Sequence, residues 1–352
     1  MRQDLIHGGD WAGFAAEAGY LPLDFSANIS PLGVPEGVQA ALREAAAQAD
    51  RYPDPLCRAL RAALSEREGV PPDHILCGNG AADLIFRAVL ALRPRQALVT
   101  APTFSEYEAA LNCVGCAVER YPLRAEDGFR LRADILDAVT PETDMVFLCE
   151  PNNPTGVTTA RPLLLRLAER CRETGTRLIV DECFGGFLDA PEAHSLKSGL
   201  GDFPNLLLLK AFTKLYGMAG VRLGYALCAD ADLLERMRLA GPPWAVSSLA
   251  QAAGLAALNE RDYVEAARAL ISSERLWLAE QLRRLGLRVV PGEANYLLFQ
   301  SREPLDKPLR RRGILLRGCG NFAGLDDTWY RAAVRTREDN RRLVAALEEV
   351  LA

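Results

Sequence analysis

Two segments in the middle of the chain carry the side chains best suited to chemistry. Lys210 directly follows an apolar run, Leu206–Leu209, and Lys214 comes four residues later. A lysine at the end of a strand can form a Schiff base with an aldehyde. Asp181 ends a second apolar run, Leu178–Val180. A carboxylate in that position is costly unless it finds a cationic partner, and open α/β sheets place their ligands at such strand ends.

Two further segments stand at predicted strand ends and add polar groups. Asn153 lies in an Asn-Pro turn after the run 145–149, and Gly80 and Ala81 open a predicted helix. Backbone N–H groups at a glycine-rich helix start can bind an anion, aided by the helix dipole. Each segment alone also fits an ordinary turn. Together with Thr213 and Arg222, which can surround a phosphate, the four segments form a complete set for holding pyridoxal 5'-phosphate.

Composition excludes several other classes of function. The chain has 352 residues, is 49% hydrophobic and 25% charged, and carries a net charge of −5, which argues against nucleic acid as a partner. No apolar run reaches the roughly 18 residues of a membrane span. The start, residues 1–4, lacks the pattern of an export signal. Nine cysteines in such a chain are read as reduced thiols, so the expected location is cytoplasmic.

No metal site is expected. The three histidines, His7, His74 and His194, are far apart in the sequence. Cys113 and Cys116 form a single C-x-x-C pair, whereas a structural zinc site normally needs a second pair. Small buried thiols are the better interpretation of these two cysteines.

The alternation of apolar runs and amphipathic stretches predicts the architecture. Between residues 52 and 228 it indicates a three-layer α/β/α domain with a mainly parallel sheet. The predicted elements are strands at 97–100, 145–149, 178–180 and 206–209 and helices at 83–92 and 161–173. After residue 228 comes a long helical region to about 284, broken at 241–243. Strands at 287–291, 295–299, 314–317 and 330–334 and a helix at 338–351 follow, which is an α+β pattern. We therefore predict a large domain, 50–235, and a small domain formed by 1–49 and 236–352.

The ordered motifs resemble the fold-type I pyridoxal-phosphate enzymes of the aminotransferase class I/II superfamily. Asn153-Pro154-Thr155-Gly156, Asp181, Thr213-Lys214 and Arg222-Leu223-Gly224 occur in that family's order and at fitting separations. The resemblance implies that Lys214 binds the cofactor covalently and that Asp181 contacts the pyridine nitrogen. It places Asn153 at the ring oxygen, and Arg222 and Thr213, with Gly80 and Ala81, at the phosphate.

The same resemblance implies an aromatic stacking partner and a second subunit. Phe104 or Tyr107 would stack on the ring, and Tyr52 would reach the cofactor phosphate of the neighbouring subunit in a homodimer. Many aminotransferases carry a tyrosine where this chain has Phe184. One hydroxyl contact to the ring oxygen is therefore expected to be missing.

A narrower resemblance concerns the ends of the chain. The segments 7–10, 23–33, 243–247, 294–298 and 315–319 are similar to the threonine-phosphate decarboxylases of cobalamin biosynthesis, which are close to the histidinol-phosphate aminotransferases. The implied reaction is decarboxylation of O-phospho-L-threonine to (R)-1-aminopropan-2-yl phosphate. Histidinol-phosphate or phosphoserine chemistry stays open, and a non-catalytic regulator on an aminotransferase fold is a more distant alternative. The substrate-binding residues expected on this basis are His7, Gly8, Gly9, Asn28, Asn153, Arg317 and Arg335.

The two arginines are expected to hold the substrate phosphate. Guanidinium groups bind phosphate or carboxylate in a bidentate manner, and Arg317 and Arg335 each end a predicted strand. Strong neutralisation of the substrate carboxylate would oppose loss of CO2. We therefore expect Arg317 and Arg335 to hold the phosphate, while weaker groups such as Asn28 hold the carboxylate. Lys210 is expected to be structural.

Overall fold

The computed structural model describes residues 7–352. Residues 1–6, which include the segment inspected for an export signal and the start of the predicted small domain, lie outside the described part. The strands are β1 (Leu23–Asp24), β2 (Ile75–Gly78), β3 (Gln96–Ala101), β4 (Ala117–Pro122), β5 (Met145–Cys149), β6 (Arg177–Asp181), β7 (Leu206–Ala211), β8 (Gly224–Leu227), β9 (Arg288–Val289), β10 (Tyr296–Gln300), β11 (Ile314–Leu315), β12 (Arg317–Gly318) and β13 (Trp329–Ala333).

The described residues form fourteen α-helices. They are α1 (Trp11–Ala18), α2 (Glu36–Ala46), α3 (Arg58–Glu68), α4 (Gly80–Leu92), α5 (Glu106–Asn112), α6 (Ile135–Ala138), α7 (Arg161–Thr174), α8 (Pro191–His194), α9 (Phe212–Leu215), α10 (Ala231–Leu239), α11 (Ser248–Ala257), α12 (Arg261–Arg284), α13 (Asp306–Arg311) and α14 (Arg337–Leu351). In the part of the chain that the structure describes, no helix combines the length and the apolarity of a membrane span.

A seven-stranded sheet forms the centre of the larger part. Its order is β2-β8-β7-β6-β5-β3-β4, with β3 to β7 mutually parallel and β8 antiparallel to both of its neighbours. Alternate residues of β7 enter different cores: Leu206 and Leu208 pack on one face, Leu207 and Leu209 on the other. Burial on both faces explains why the sequence shows continuous apolar runs rather than alternation. The predicted mainly parallel sheet is confirmed.

Three strands of this sheet were not predicted. Two of them, β2 and β8, are short and contain glycine, and β4 at the sheet edge has the polar sequence Ala-Val-Glu-Arg-Tyr-Pro with mostly exposed side chains. An edge strand needs little apolar surface, so hydrophobic patterning does not reveal it. The predicted helices at 83–92 and 161–173 correspond to α4 and α7.

The C-terminal part contains a four-stranded antiparallel sheet in the order β12-β13-β10-β9. The strand predicted at 314–317 is divided between β11 and β12, which belong to different sheets. β11 pairs in parallel with β1, so the N-terminal segment is attached to this region. Phe25 extends the attachment, since its N–H donates to Leu315 O at 2.8 Å and its carbonyl accepts from Ala333 N at 2.8 Å. The predicted division at residues 50 and 235 stays a prediction.

The central sheet gives a direct test of the packing. Leu207 is fully buried in β7, whereas Leu276 on α12 is 67% exposed. Leu207→Ala should lower the free energy of unfolding by about 2–5 kcal/mol, because it leaves a cavity in a packed core. Leu276→Ala should change it by less than about 0.5 kcal/mol. Urea unfolding of both variants at one protein concentration measures this, and equal losses would contradict the assignment of β7 to the core.

Candidate active site

A cavity of about 400 Å³ opens at one edge of the seven-stranded sheet. Cys149, Asp181 and Ala211, the last residues of β5, β6 and β7, all line it. Parallel strands direct their carboxyl ends to the same edge, which is where ligands bind in open α/β sheets. Most of the sequence-predicted residues meet here, namely His7, Gly8, Asn28, Ala81, Phe104, Asn153, Asp181, Thr213, Lys214, Arg222 and Arg317.

Lys214 presents a readily deprotonated amine to this cavity. It lies in α9, the single turn that follows β7, and its carbonyl accepts a hydrogen bond from Ser30 N at 2.9 Å. Burial lowers the pKa of Lys214 to about 8, and the positive charges of Arg331 and Arg222 act in the same direction. A larger fraction of the amine is therefore neutral near pH 7 than in an exposed lysine. A neutral amine is the nucleophilic form.

Asp181 is buried, and both of its oxygens accept hydrogen bonds. Tyr107 donates its hydroxyl to Oδ2 at 2.8 Å, and the backbone N–H of Cys183 donates to Oδ1 at 3.0 Å. Burial, together with the charge of Asp181, raises the pKa of Tyr107 well above its ordinary value, so the phenol remains a donor. Two donors therefore fix the orientation of this carboxyl group.

Tyr107 therefore donates to Asp181 and does not line the cavity. This corrects the prediction that Tyr107 is one of the two candidates to stack on the ring. Its ring stacks on Phe147 at 4.8 Å instead, in the core beneath the site. Phe104, the other candidate, does line the cavity. Phe184 also lines it, with its ring edge-to-face to Tyr296 and its centroid 5.7 Å from Lys214 Nζ.

The N-terminus of α4 and Arg222 form an anion-binding end. Gly80, the first residue of α4, has φ +78°, and a Cβ there would lie 2.7 Å from Arg222 Nη2. Only glycine lets the guanidinium approach the helix start this closely. Gly80 itself does not line the cavity, but Ala81, Thr213 and Arg222 do. Helix N–H groups, a hydroxyl and a guanidinium together suit a phosphate.

Two arginines from adjacent strands also line the cavity. Arg317 in β12 is the register partner of Arg331 in β13, and both line the cavity. Burial lowers the pKa of each guanidinium below its ordinary value. Like charges directly opposite each other in a sheet are destabilising. An anionic ligand between them would remove that cost, so the pair indicates recognition of an anion.

Arg331, which sequence reasoning missed, is 6% exposed and is hydrogen-bonded to three residues. Nη1 donates to Asn153 Oδ1, and Nη2 donates to Ser26 O at 2.9 Å. With the Asn28 amide turned so that its oxygen faces Arg331, which pairs donors with acceptors, that oxygen accepts from Nε and Nη1 at 3.2 Å. These bonds link β13 to the Asn153 turn and to the N-terminal segment. An arginine in the middle of a short apolar strand was a usable signal, because such a residue is costly to bury without a function.

Arg335 does not line the cavity, which corrects the prediction that it binds substrate. Its Nε donates to Asp339 Oδ2 at 3.0 Å and its Nη1 donates to Asp24 O at 3.2 Å. β13 ends at Ala333, so Arg335 lies past the strand, next to the start of α14. The side chain at this position joins α14 to β1.

Two other predicted residues also lie outside the cavity wall. Gly9 donates its N–H to Ser26 Oγ at 2.8 Å and so supports Ser26, which does line the cavity. Tyr52 is 82% exposed and stacks on Trp244 at 4.7 Å. Its predicted role in a neighbouring subunit stays a prediction.

The cavity wall also includes a contact between His7 and Glu106, and residues 7–352 hold no cluster suited to a metal. His7 Nε2 lies 2.8 Å from Glu106 Oε1, and both residues line the cavity. No group of three or more His, Cys, Asp or Glu within the described residues is arranged to hold a metal ion.

Comparison with known proteins agrees with this geometry. The sequence pattern of the family "Aminotransferase class I and II" matches residues 22–347. The chain belongs to this family. The family relatives include a threonine-phosphate decarboxylase from Salmonella typhimurium, 41% identical over 98% of this chain and 96% of the relative. A histidinol-phosphate aminotransferase from Symbiobacterium thermophilum is 38% identical over 92% of this chain and 89% of the relative.

A solved structure of another family member contains the cofactor. The histidinol-phosphate aminotransferase from Sinorhizobium meliloti in complex with pyridoxal-5'-phosphate has a TM-score of 0.88 to this chain at 25% identity. The match covers 99% of this chain and 96% of the other. The cofactor of this chain is pyridoxal 5'-phosphate. The cavity fits it, with a phosphate-binding end at α4, a hydrogen-bonded carboxylate and a readily deprotonated amine.

Covalent labelling tests which lysine holds the cofactor. Borohydride reduction of the protein with pyridoxal phosphate should attach the cofactor to Lys214, because its lowered pKa leaves the amine nucleophilic. Peptide mass spectrometry locates the label. Lys210→Arg, which keeps the charge four residues earlier, should retain the label, and Lys214→Ala should lose it. A label on any other lysine in Lys214→Ala, at wild-type yield, would refute the assignment.

Proposed function

We propose that this protein is a pyridoxal-phosphate-dependent lyase that decarboxylates O-phospho-L-threonine to (R)-1-aminopropan-2-yl phosphate, a reaction of cobalamin biosynthesis. The observation that carries the proposal is the pair Arg317 and Arg331 on adjacent strands inside the cofactor cavity. A substrate with both a phosphate and a carboxylate supplies one anion for each guanidinium. The near full-length similarity to the Salmonella typhimurium threonine-phosphate decarboxylase supports this substrate class.

The residues at the sheet edge hold the cofactor in a defined orientation. Pyridoxal phosphate supplies an electron-accepting ring and an aldehyde when it is bound. Lys214 would hold the aldehyde through its amine, and the same amine could take up or give a proton during the reaction. Asp181 would pair with the protonated ring nitrogen, since its carboxylate is fixed by Tyr107 and by Cys183 N.

Asn153 and the α4 end orient the remaining parts of the cofactor. Because Asn153 Oδ1 accepts from Arg331, its amide N–H groups are the part left to donate to the ring oxygen. Ala81, Thr213 and Arg222 would bind the phosphate, and Gly80 would allow that approach. Phe104 would stack on the ring. Phe184 supplies no hydroxyl, so the ring oxygen lacks the contact that a tyrosine would give.

Substrate orientation determines which bond breaks. The bond to be cleaved must stand perpendicular to the ring, so the carboxylate has to be directed rather than fully neutralised. Arg331 already donates from all three of its guanidinium nitrogens to Asn153, Ser26 and Asn28, which leaves only part of its donor capacity for the carboxylate. Arg317, with His7 and Gly8, then holds the phosphate.

The active form is a cytoplasmic homodimer in this proposal. Tyr52 and Trp244 form an exposed aromatic pair outside the cavity, 82% and 46% exposed. Exposed aromatic residues are typical of protein interfaces. In the dimer, Tyr52 reaches the cofactor phosphate of the partner subunit.

Product analysis tests the reaction. Incubation with O-phospho-L-threonine and pyridoxal phosphate should release one CO2 per amine formed, with no keto acid present. Histidinol-phosphate aminotransferase is the alternative, supported by the relative at 38% identity. Turnover of histidinol phosphate that requires a keto acid, without CO2 release from phosphothreonine, would establish that alternative and reject ours.

The arginines give a second test with a matched control. Arg317→Ala should lower kcat/KM by about 100-fold, the effect expected for loss of a charge-assisted phosphate contact. Arg331→Lys should also lower it, because a lysine cannot replace a bidentate guanidinium. Arg335→Ala should change kcat/KM less than about threefold, since that side chain lies outside the cavity. Steady-state kinetics measures all three, and a large loss in Arg335→Ala alone would restore the original prediction.

A further inference from the structure

A second, smaller cavity of about 150 Å³ lies beside the active site. Cys183 and Ala211 line both cavities, whereas Asp181 and Lys214 line only the larger one. The wall of the smaller cavity is rich in charged side chains. These are Arg67, Glu68, Glu150, Glu182, Glu192, Lys197, Lys210 and Arg268. The proposed reaction uses none of them.

The centre of this charged group is a connected network. Lys210 Nζ lies 3.5 Å from Glu182 Oε2 and 3.5 Å from Glu68 Oε2. Lys197 Nζ lies 3.1 Å from the same Glu68 oxygen, and Tyr225 donates its hydroxyl to Glu68 Oε1 at 2.5 Å. Ser195 Oγ donates to Glu182 Oε2 at 2.8 Å. The charges of the two lysines and the two glutamates sum to zero. Of the two lysines, Lys210 pairs with Glu182 and Lys197 does not.

The network is attached to the two strand ends that carry the cofactor-binding groups. Glu182 directly follows Asp181 at the end of β6, and Lys210 lies in β7 four residues before Lys214. The backbone N–H of Glu182 donates to Leu209 O at 2.8 Å. The ion pair therefore joins the same two strand ends from the side opposite the cofactor cavity.

Loss of Lys210 would leave Glu182 as a buried carboxylate with no cation. Glu182 is 7% exposed, so water cannot compensate its charge well. Burial alone would lower the pKa of Lys210, but Glu182 and Glu68 raise it above its ordinary value, so the lysine stays charged. Cys183 and Ala211 line both the cavity that contains Glu182 and the one that contains Lys214. An uncompensated negative charge on Glu182 would act across this shared wall and favour the protonated form of Lys214.

We propose that Lys210 is a positioning residue, which, by neutralising Glu182, fixes the position and the electrostatic environment of Lys214 and Asp181. The inference rests on the proposed roles of Lys214 and Asp181 and is independent of the substrate. Its test therefore uses the protein with pyridoxal phosphate and no substrate, so that failure of the decarboxylase proposal leaves it intact.

The test is a pH titration of the absorbance of the lysine-bound cofactor. In Lys210→Met the midpoint should rise by about half a pH unit, because the free charge of Glu182 stabilises the protonated form. Lys210→Arg should keep the wild-type midpoint. The double variant Lys210→Met with Glu182→Gln should return the midpoint toward wild type, since it removes the uncompensated charge.

Lys197→Met is the matched control, because Lys197 pairs with Glu68 but not with Glu182. It should lower the melting temperature and leave the midpoint unchanged. If Lys210→Met lowers the melting temperature and leaves the midpoint at its wild-type value, the pair is structural only and the proposal is overturned. If Lys210→Met does not fold, the proposal is decided by Glu182→Gln. In Glu182→Gln, Lys210 lacks one of its two carboxylate partners, so its positive charge should lower the midpoint of the absorbance titration. An unchanged midpoint overturns the proposal.

Discussion

The site depends on one constraint, the common direction of β5, β6 and β7. Because these strands are parallel and adjacent, their carboxyl ends bring Asn153, Asp181 and Lys214 to one edge although long stretches of sequence separate them. Each strand is buried on both faces, so its end has little freedom to move. Chemistry that requires an amine and a carboxylate in fixed relation is thereby supported by the packing of leucines and valines rather than by the loops themselves.

A second sheet contributes the recognition of anions. Arg317 and Arg331 come from adjacent strands of the four-stranded sheet, and Arg331 is bonded both to Asn153 and to the N-terminal segment. Arg222, beside the start of α4, adds a third guanidinium to the cavity wall. The charges of Arg331 and Arg222, added to burial, lower the pKa of Lys214 to about 8. Binding of anions and reactivity of the amine are coupled through one electrostatic field.

The sequence predicted the parallel sheet and the residues at its edge, because continuous apolar runs and strand-end polar groups are local signals. It did not predict the edge strand β4, whose exposed position requires no apolar pattern. It also chose Arg335 over Arg331, since both stand near the end of the same strand. Only the register of β13 against β12 shows which guanidinium faces Arg317, and register depends on pairing between distant segments. Tyr107 was predicted near the cofactor ring. Its contacts with Asp181 and Phe147 depend on the folded structure, because these residues are distant in sequence.

The cavity is lined from two sheets, with Asp181 at the end of β6 in one and Arg317 and Arg331 in the other. Exchange of side chains on the four-stranded sheet can therefore alter both the guest and the reactivity of the amine, since Arg331 contacts Asn153 and lowers the pKa of Lys214. Relatives at 41% and 38% identity bear the names of a decarboxylase and of an aminotransferase. Coupling of this kind lets one framework diversify its reactions by changing a few positions in the second sheet.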